Sequence, residues 1–194
     1  MTGQPRRAKV LTEAQAAGAI AACASAYERA MVRLSLNAGL RAKEIAALTW
    51  SMVTDAQGEL ARDIQLPNIA SKGRTGGRTI PIDGDLKAAL LELKAKFPAM
   101  DGCVIQGERR KRLTANAVAV WFGRHYRALG FNGCSSHSGR RTYITRAARR
   151  AVQAGCSLKD VQELAGHKSL ADTQKYIDSN EDGKRRLAEL IWGR

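Results

Sequence analysis

The sequence predicts a mainly α protein with a small antiparallel β-sheet, an α+β fold in one domain spanning 1–194. Three observations carry this. Apolar residues recur at helical spacing along most of the chain, in stretches opened by Ser, Thr or Asp and often closed by Gly. That pattern gives way over residues 51–82, where two short strand-like runs flank a glycine-rich turn. A chain of 194 residues, 44% of them apolar, can build one proper core, and no repeat or low-complexity linker divides it.

In order, TEAQAAGAIAACASA opens at Thr12 as an N-cap and continues in alanine. ERAMVRLSLNAGL sets Met31, Leu34 and Leu36 near helical spacing and stops at Gly39. RAKEIAALTW reads as a third helix, with Ile45 and Leu48 on one face and Glu44 three residues after Arg41. ARDIQLPNIA and RTIPI read as strands joined by SKGRTGG, with Lys72 near the hairpin tip. Pro67 and Pro81 suit edge positions. DLKAALLELKAKF is an amphipathic helix capped by Asp83 or Asp85. TANAVAVWFGRHYRALG is capped by Thr114 and ended by Gly130, and SHSGRRTYITRAARRAVQAG is stopped by Gly155. SLKDVQELAG opens at Ser157, with Asp160 completing an imperfect capping box. SLADTQKYID adds a short helix, and EDGKRRLAELIWGR an amphipathic tail.

The net charge of +14 is the strongest compositional signal and points to a polyanion, most often nucleic acid. Residues 105–150 hold eleven Arg and Lys against one acid, Glu108. Cys23, Cys103, Cys134 and Cys156 form no CxxC pair, and with three histidines they give no zinc spacing, so they read as reduced structural cysteines. Apolar runs are too short to span a membrane, and the first residues lack a signal h-region, so cytoplasmic residence is the expectation.

Taken singly, each polar candidate has a plain structural role. Together they suit a phosphodiester. Arg41 and Arg140 are permanent forked cations. His137 lies one helical turn before Arg140, His167 can donate to a phosphate oxygen or move a proton, and Lys72 can reach in from the hairpin. Tyr176 brings a phenolic oxygen, nucleophilic where cations favour its ionised form. No Asp/Glu cluster offers a magnesium cradle, so no metal and no cofactor are expected.

These pieces, in this order, resemble the catalytic domain of the tyrosine recombinases, the phage integrase family. NAGLRAKEIAALTW resembles the first arginine box with Arg41 and its acidic partner Glu44. SKGRTGGRTIPI resembles the hairpin with the catalytic Lys72. SHSGRRTYITRAAR resembles the His-x-x-Arg box with His137 and Arg140. LAGHKSLADTQKYID resembles the closing motif with His167 and the nucleophile Tyr176 nine residues on. Two positions depart from the family pattern: Gly139 where leucine usually precedes the arginine, and Ala165 where leucine usually precedes Gly-His.

The resemblance implies site-specific cutting and rejoining of double-stranded DNA through a 3′-phosphotyrosyl bond, without metal or ATP. It also implies a tetramer on DNA, accessory DNA-bending proteins as further partners, and a nucleoid-associated bacterial or phage protein. Arg74, Arg109, Arg110, Lys111, Arg112 and Arg141 are the expected backbone contacts. The tail, about 180–194, with Leu187, Leu190, Ile191 and Trp192, either docks on a neighbouring protomer or packs in cis. The family's N-terminal core-binding domain is absent, leaving a piece of a longer integrase or a minimal recombinase, with a weaker hold on DNA. Two other functions share the motifs: a type IB topoisomerase, and a DNA-binding regulator that keeps the fold without turnover.

Overall fold

The computed structural model describes residues 8–67, 77–96, 102–107 and 112–176, together with Arg185, Ala188, Glu189 and Ile191. Eight helices lie among these residues: α1 (Glu13–Ala21), α2 (Ala26–Asn37), α3 (Ala42–Ala47), α4 (Gly84–Lys96), α5 (Ala115–Ala128), α6 (Ser138–Arg150), α7 (Leu158–Ala165) and α8 (Leu170–Gln174). Two strands, β1 (Asp63–Leu66) and β2 (Arg78–Pro81), pair antiparallel with Ile64 opposite Ile80 and Asp63 opposite Pro81. The expected mainly helical fold with a small antiparallel sheet is the observed one.

Local chemistry sets most boundaries. Thr12 and Gln15 form a full capping box on α1, and Ser25 caps α2. Asp83 Oδ1 accepts from the Leu86 N–H at 2.8 Å, which selects Asp83 as the cap of α4. Thr114 caps α5, and Ser157 with Asp160 makes a complete capping box on α7, where the sequence suggested an imperfect one.

Two expected helices end early. The third stops at Ala47, because Leu48 turns extended and its carbonyl accepts from the Val104 N–H at 2.8 Å. Trp50 likewise donates to the Gly102 carbonyl, and residues 50–52 form a 3-10 turn. Pairing with a distant segment therefore overrides local helical spacing. The long helix from Ser138 ends at Arg150, and a 3-10 turn over 152–154 leads to Gly155 in the left-handed region at φ 70°.

The apolar residues sort into two clusters. The larger draws on α1 to α5 and the sheet, with Leu34, Leu40, Ile45, Trp50 and Phe122 fully or nearly buried. The smaller gathers Ile144, Ala151, Val161 and Ala165 from α6 and α7, with Leu158 and Tyr176 packed against it. α6 bridges the two. Its Gly139 meets α2 so closely that an added Cβ would stand 2.9 Å from the Ser35 Cβ and 3.3 Å from the Ser35 backbone. A leucine, which the resemblance leads one to expect at this position, has no room here. Thr142 on the next turn accepts from the Leu11 N–H at 2.8 Å. Cys23 is buried, Cys103 and Cys134 half-buried, and all four cysteines are free; Cys156 is exposed, so a structural role does not hold for it.

Candidate active site

The site forms where the two clusters meet. Arg41 is the N-cap of α3, and Glu44 sits one turn inside it, 1% exposed. Glu44 bends back to accept from the Arg41 backbone N–H at 2.8 Å and from Arg41 Nη1 at 2.9 Å. A third partner was not anticipated from the sequence. Arg78, on β2, donates Nη1 and Nη2 to the two oxygens of Glu44, both at 2.9 Å. The carboxylate is therefore shared by two guanidinium groups. Burial alone would raise its pKa, but the bonds and charge of Arg78, followed by those of Arg41, hold it below the ordinary carboxylate value.

Arg140 reaches the same place from α6. It is 4% exposed, and its Nη1 and Nη2 donate to the carbonyls of Gly39 and Ala165, each at 2.6 Å. One side chain thereby ties the chain just before Arg41 to the chain just before His167. Gly39 takes φ 62° with the Tyr143 ring against it, so the carbonyl is set by a turn that suits glycine. Burial, then the charge of Arg41, pushes the Arg140 guanidinium down to about 9, and it stays a cation at neutral pH. Three arginines against one carboxylate leave a surplus of two positive charges in the pocket.

His167 follows Gly166, whose left-handed turn at φ 61° ends α7. A Cβ at Gly166 would lie 3.0 Å from Arg78 Cδ, so this glycine lets the turn close against Arg78. The Nδ1 of His167 meets the Thr173 hydroxyl at 2.9 Å. Burial first, then the charges of Arg140 and Arg41, pushes the imidazole down to about 4, so it is neutral at pH 7. Its ring stacks on Tyr176 with centroids 5.4 Å apart at 24°. The Arg141 guanidinium lies 5.7 Å from the centre of the same tyrosine ring. Arg141 is thus turned toward Tyr176, a placement that its reading as a DNA contact did not foresee.

Arg41, Glu44, Arg140, His167 and Tyr176 therefore converge, joined by Arg78, Thr173 and Arg141. His137 is the N-cap of α6 and is exposed, with its ring Nδ1 3.5 Å from the Ser136 hydroxyl. It lies one turn from Arg140, at the rim. Lys72, Arg74, Arg109, Arg110 and Lys111 lie outside the described residues, as do Leu187, Leu190 and Trp192 of the tail; Ile191 is exposed. Arg112 donates Nε to the Ala46 carbonyl at 3.1 Å, which pins the end of the basic stretch beside α3. Among the described residues no group of His, Cys, Asp and Glu is placed to hold a metal ion, and no helix is long and apolar enough to cross a membrane.

Comparison with known proteins is consistent across sequence and shape. The model of the phage integrase family matches residues 9–182. The tyrosine recombinase XerC of Azotobacter vinelandii is 29% identical over 152 residues, covering 77% of this chain and 47% of that protein. XerC of Corynebacterium glutamicum is 27% identical over 192 residues, 94% of this chain and 58% of that one. The chain spans about half the length of these relatives. Among solved structures, XerA recombinase superposes with a TM-score of 0.76 at 22% identity, over 98% of this chain and 68% of that one. The Tn1549 transposon integrase in complex with transposon right end DNA gives 0.72 at 19% identity, over 97% and 67%. A lambda integrase dimer bound to a COC' core site gives 0.67 at 23% identity, over 91% and 49%.

Proposed function

The chain belongs to the phage integrase family, and on that footing we propose that it cuts and rejoins double-stranded DNA through a 3′-phosphotyrosyl intermediate, as one catalytic domain of a site-specific recombinase. The single observation that carries this is the convergence of Arg41, Arg140 and His167 beside Tyr176, with Arg78 and Arg141 adding positive charge around the one carboxylate, Glu44. A phosphodiester carries one negative charge, and the transition state of its displacement gathers about one more, so a net positive pocket favours the transition state over the substrate. Structural neighbours solved in complex with DNA support a DNA substrate.

Arg41, Arg140 and His167 hold the non-bridging oxygens of the scissile phosphate. The Tyr176 oxygen attacks phosphorus in line. The P–O bond to Tyr176 forms as the bond to the 5′ oxygen breaks, and Lys72 gives that oxygen a proton. His137 assists proton movement at the tyrosine hydroxyl. Glu44 orients Arg41 from behind. A 5′ hydroxyl of the partner strand then reverses the step, so the phosphodiester bond energy stays in the adduct and neither ATP nor metal is consumed. Four protomers around two duplexes complete an exchange. Arg74, Arg109, Arg110, Lys111 and Arg112 contact the DNA backbone, while Arg141 stands by the Tyr176 ring.

The test is a covalent trap. The protein is incubated in EDTA with fragmented genomic and mobile-element DNA, denatured in SDS, and the protein-linked ends are sequenced. Adducts at one inverted-repeat site, abolished by Tyr176→Phe, are the expected result. Scattered adducts would indicate topoisomerase-like relaxation, and adducts that survive Tyr176→Phe would move the nucleophile elsewhere. Their complete absence from DNA-bound protein would leave a regulator that binds without turnover.

A further inference from the structure

Thr173 lies on α8, is fully buried, and its hydroxyl makes one hydrogen bond, to His167 Nδ1. A neutral imidazole carries a single proton, on Nδ1 or on Nε2. With the proton on Nδ1, that N–H would donate to Thr173 Oγ1, and the threonine O–H would be buried without an acceptor. An unmet buried donor costs the full desolvation of that group. With the proton on Nε2, the threonine O–H donates to Nδ1 and both groups are satisfied. Asp172 turns its oxygens to Lys175 at 2.7 Å and Ser169 at 3.3 Å and, among the described residues, makes no hydrogen bond with the His167 ring. Arg140, Arg41 and Arg78 lie near enough to His167 to oppose its protonation, so the choice between two neutral forms is the relevant one at pH 7.

We propose that Thr173 is a positioning residue that keeps the one proton of His167 on Nε2, so that His167 is a hydrogen-bond donor to the scissile phosphate and not the acceptor of the Tyr176 proton. This rests on the tyrosine-cleavage reading above and narrows it. The proton released by Tyr176 then leaves by another group, the role given to His137 in the reading above.

The experiment begins without DNA. Protein labelled with nitrogen-15 in its three histidines is compared at pH 7 with Thr173→Val and Thr173→Ser, and His167→Gln identifies the resonances of His167. Protonated and bare ring nitrogens resonate far apart, so the tautomer is read directly. Wild type and Thr173→Ser should show Nε2–H alone, and Thr173→Val a mixture or the Nδ1–H form. Nδ1–H in wild type, or an unchanged tautomer in Thr173→Val, would overturn the proposal. On a fragment recovered by the covalent trap, Thr173→Val should form adduct roughly tenfold more slowly, the scale of losing a group that orients a site histidine. Thr173→Ser should restore the rate, which a merely misfolded Val variant could not explain. An equal rate in Thr173→Val would remove the functional role. Should wild type form no Tyr176 adduct, the cleavage reading fails while the spectrum still decides the tautomer.

Discussion

Arg41 and Glu44 stand on a cluster of apolar side chains drawn from five helices and the sheet, whereas Arg140, His167 and Tyr176 stand on Ile144, Ala151, Val161, Ala165 and a few partly buried neighbours. The larger region is held by burial, which is non-directional and strong in sum. The smaller one is fastened to it by directional contacts: Arg140 to two carbonyls, Thr142 to the Leu11 N–H, and Gly139 pressed on Ser35. The difference teaches that half of the site is built on a core and half is built by the site itself. Residues that would act on phosphate also hold the smaller region in place.

The sharpest way to break this contrast is Arg140→Ala. It should slow adduct formation by about 10²–10³, the scale of one lost oxyanion donor, and also lower the melting temperature, because two carbonyls lose their donor. Normal stability with lost cleavage would separate the two roles. Next come paired truncations followed by denaturant melts. Phe122→Ala in the large cluster should cost about 3–5 kcal/mol in global unfolding. Ile144→Ala should cost about 2 kcal/mol, near the low end for such truncations because a small cluster can collapse, yet should reduce cleavage more than Phe122→Ala does below its melting point.

Gly139→Ala sharpens the contrast at the seam. Helix propensity favours alanine by up to about 1 kcal/mol, but the Cβ would meet the Ser35 side chain, its hydroxyl first and its Cβ at 2.9 Å. The net expectation is a loss of about 1 kcal/mol, within the range for overpacking, relieved by Ser35→Gly in the double variant. Acid stability tests the seam in another way. His167 titrates in the folded state at about 4 against an ordinary 6.5, so the unfolded chain binds more protons between those values. Stability should therefore fall as pH drops through that window, and Glu44, lowered by Arg78 and Arg41 against its burial, adds a further loss below its ordinary value. In a pH series of melts, His167→Gln should flatten the slope above pH 4.5.

The helical framework was legible because caps and glycine stops are local chemistry, and Thr12, Thr114, Ser157 and Gly130 act as read. The early end of α3 was not, because the bonds from Trp50 and Val104 join residues about fifty apart. In the site, Arg41, Glu44, Arg140, His167 and Tyr176 were read by motif and do converge. Arg78 was missed because its partner Glu44 lies 34 residues away. One signal existed: Arg78 shares strand parity with the buried Ile80, so its side chain starts on the inward face. Thr173 carried no signal in the sequence, since a threonine on a short helix is ordinary until its hydroxyl is seen against Nδ1.

The clamp made by Arg140 closes on main-chain oxygen at both ends. Every residue type carries that atom, so no replacement at position 39 or 165 can delete an acceptor; it can only disturb the turn or the packing around it. Ala165 illustrates this, since its side chain takes no part and its carbonyl receives Arg140. A contact written into the backbone is hidden from ordinary sequence drift. The inheritance of this pocket accordingly depends on fewer letters than its number of hydrogen bonds suggests.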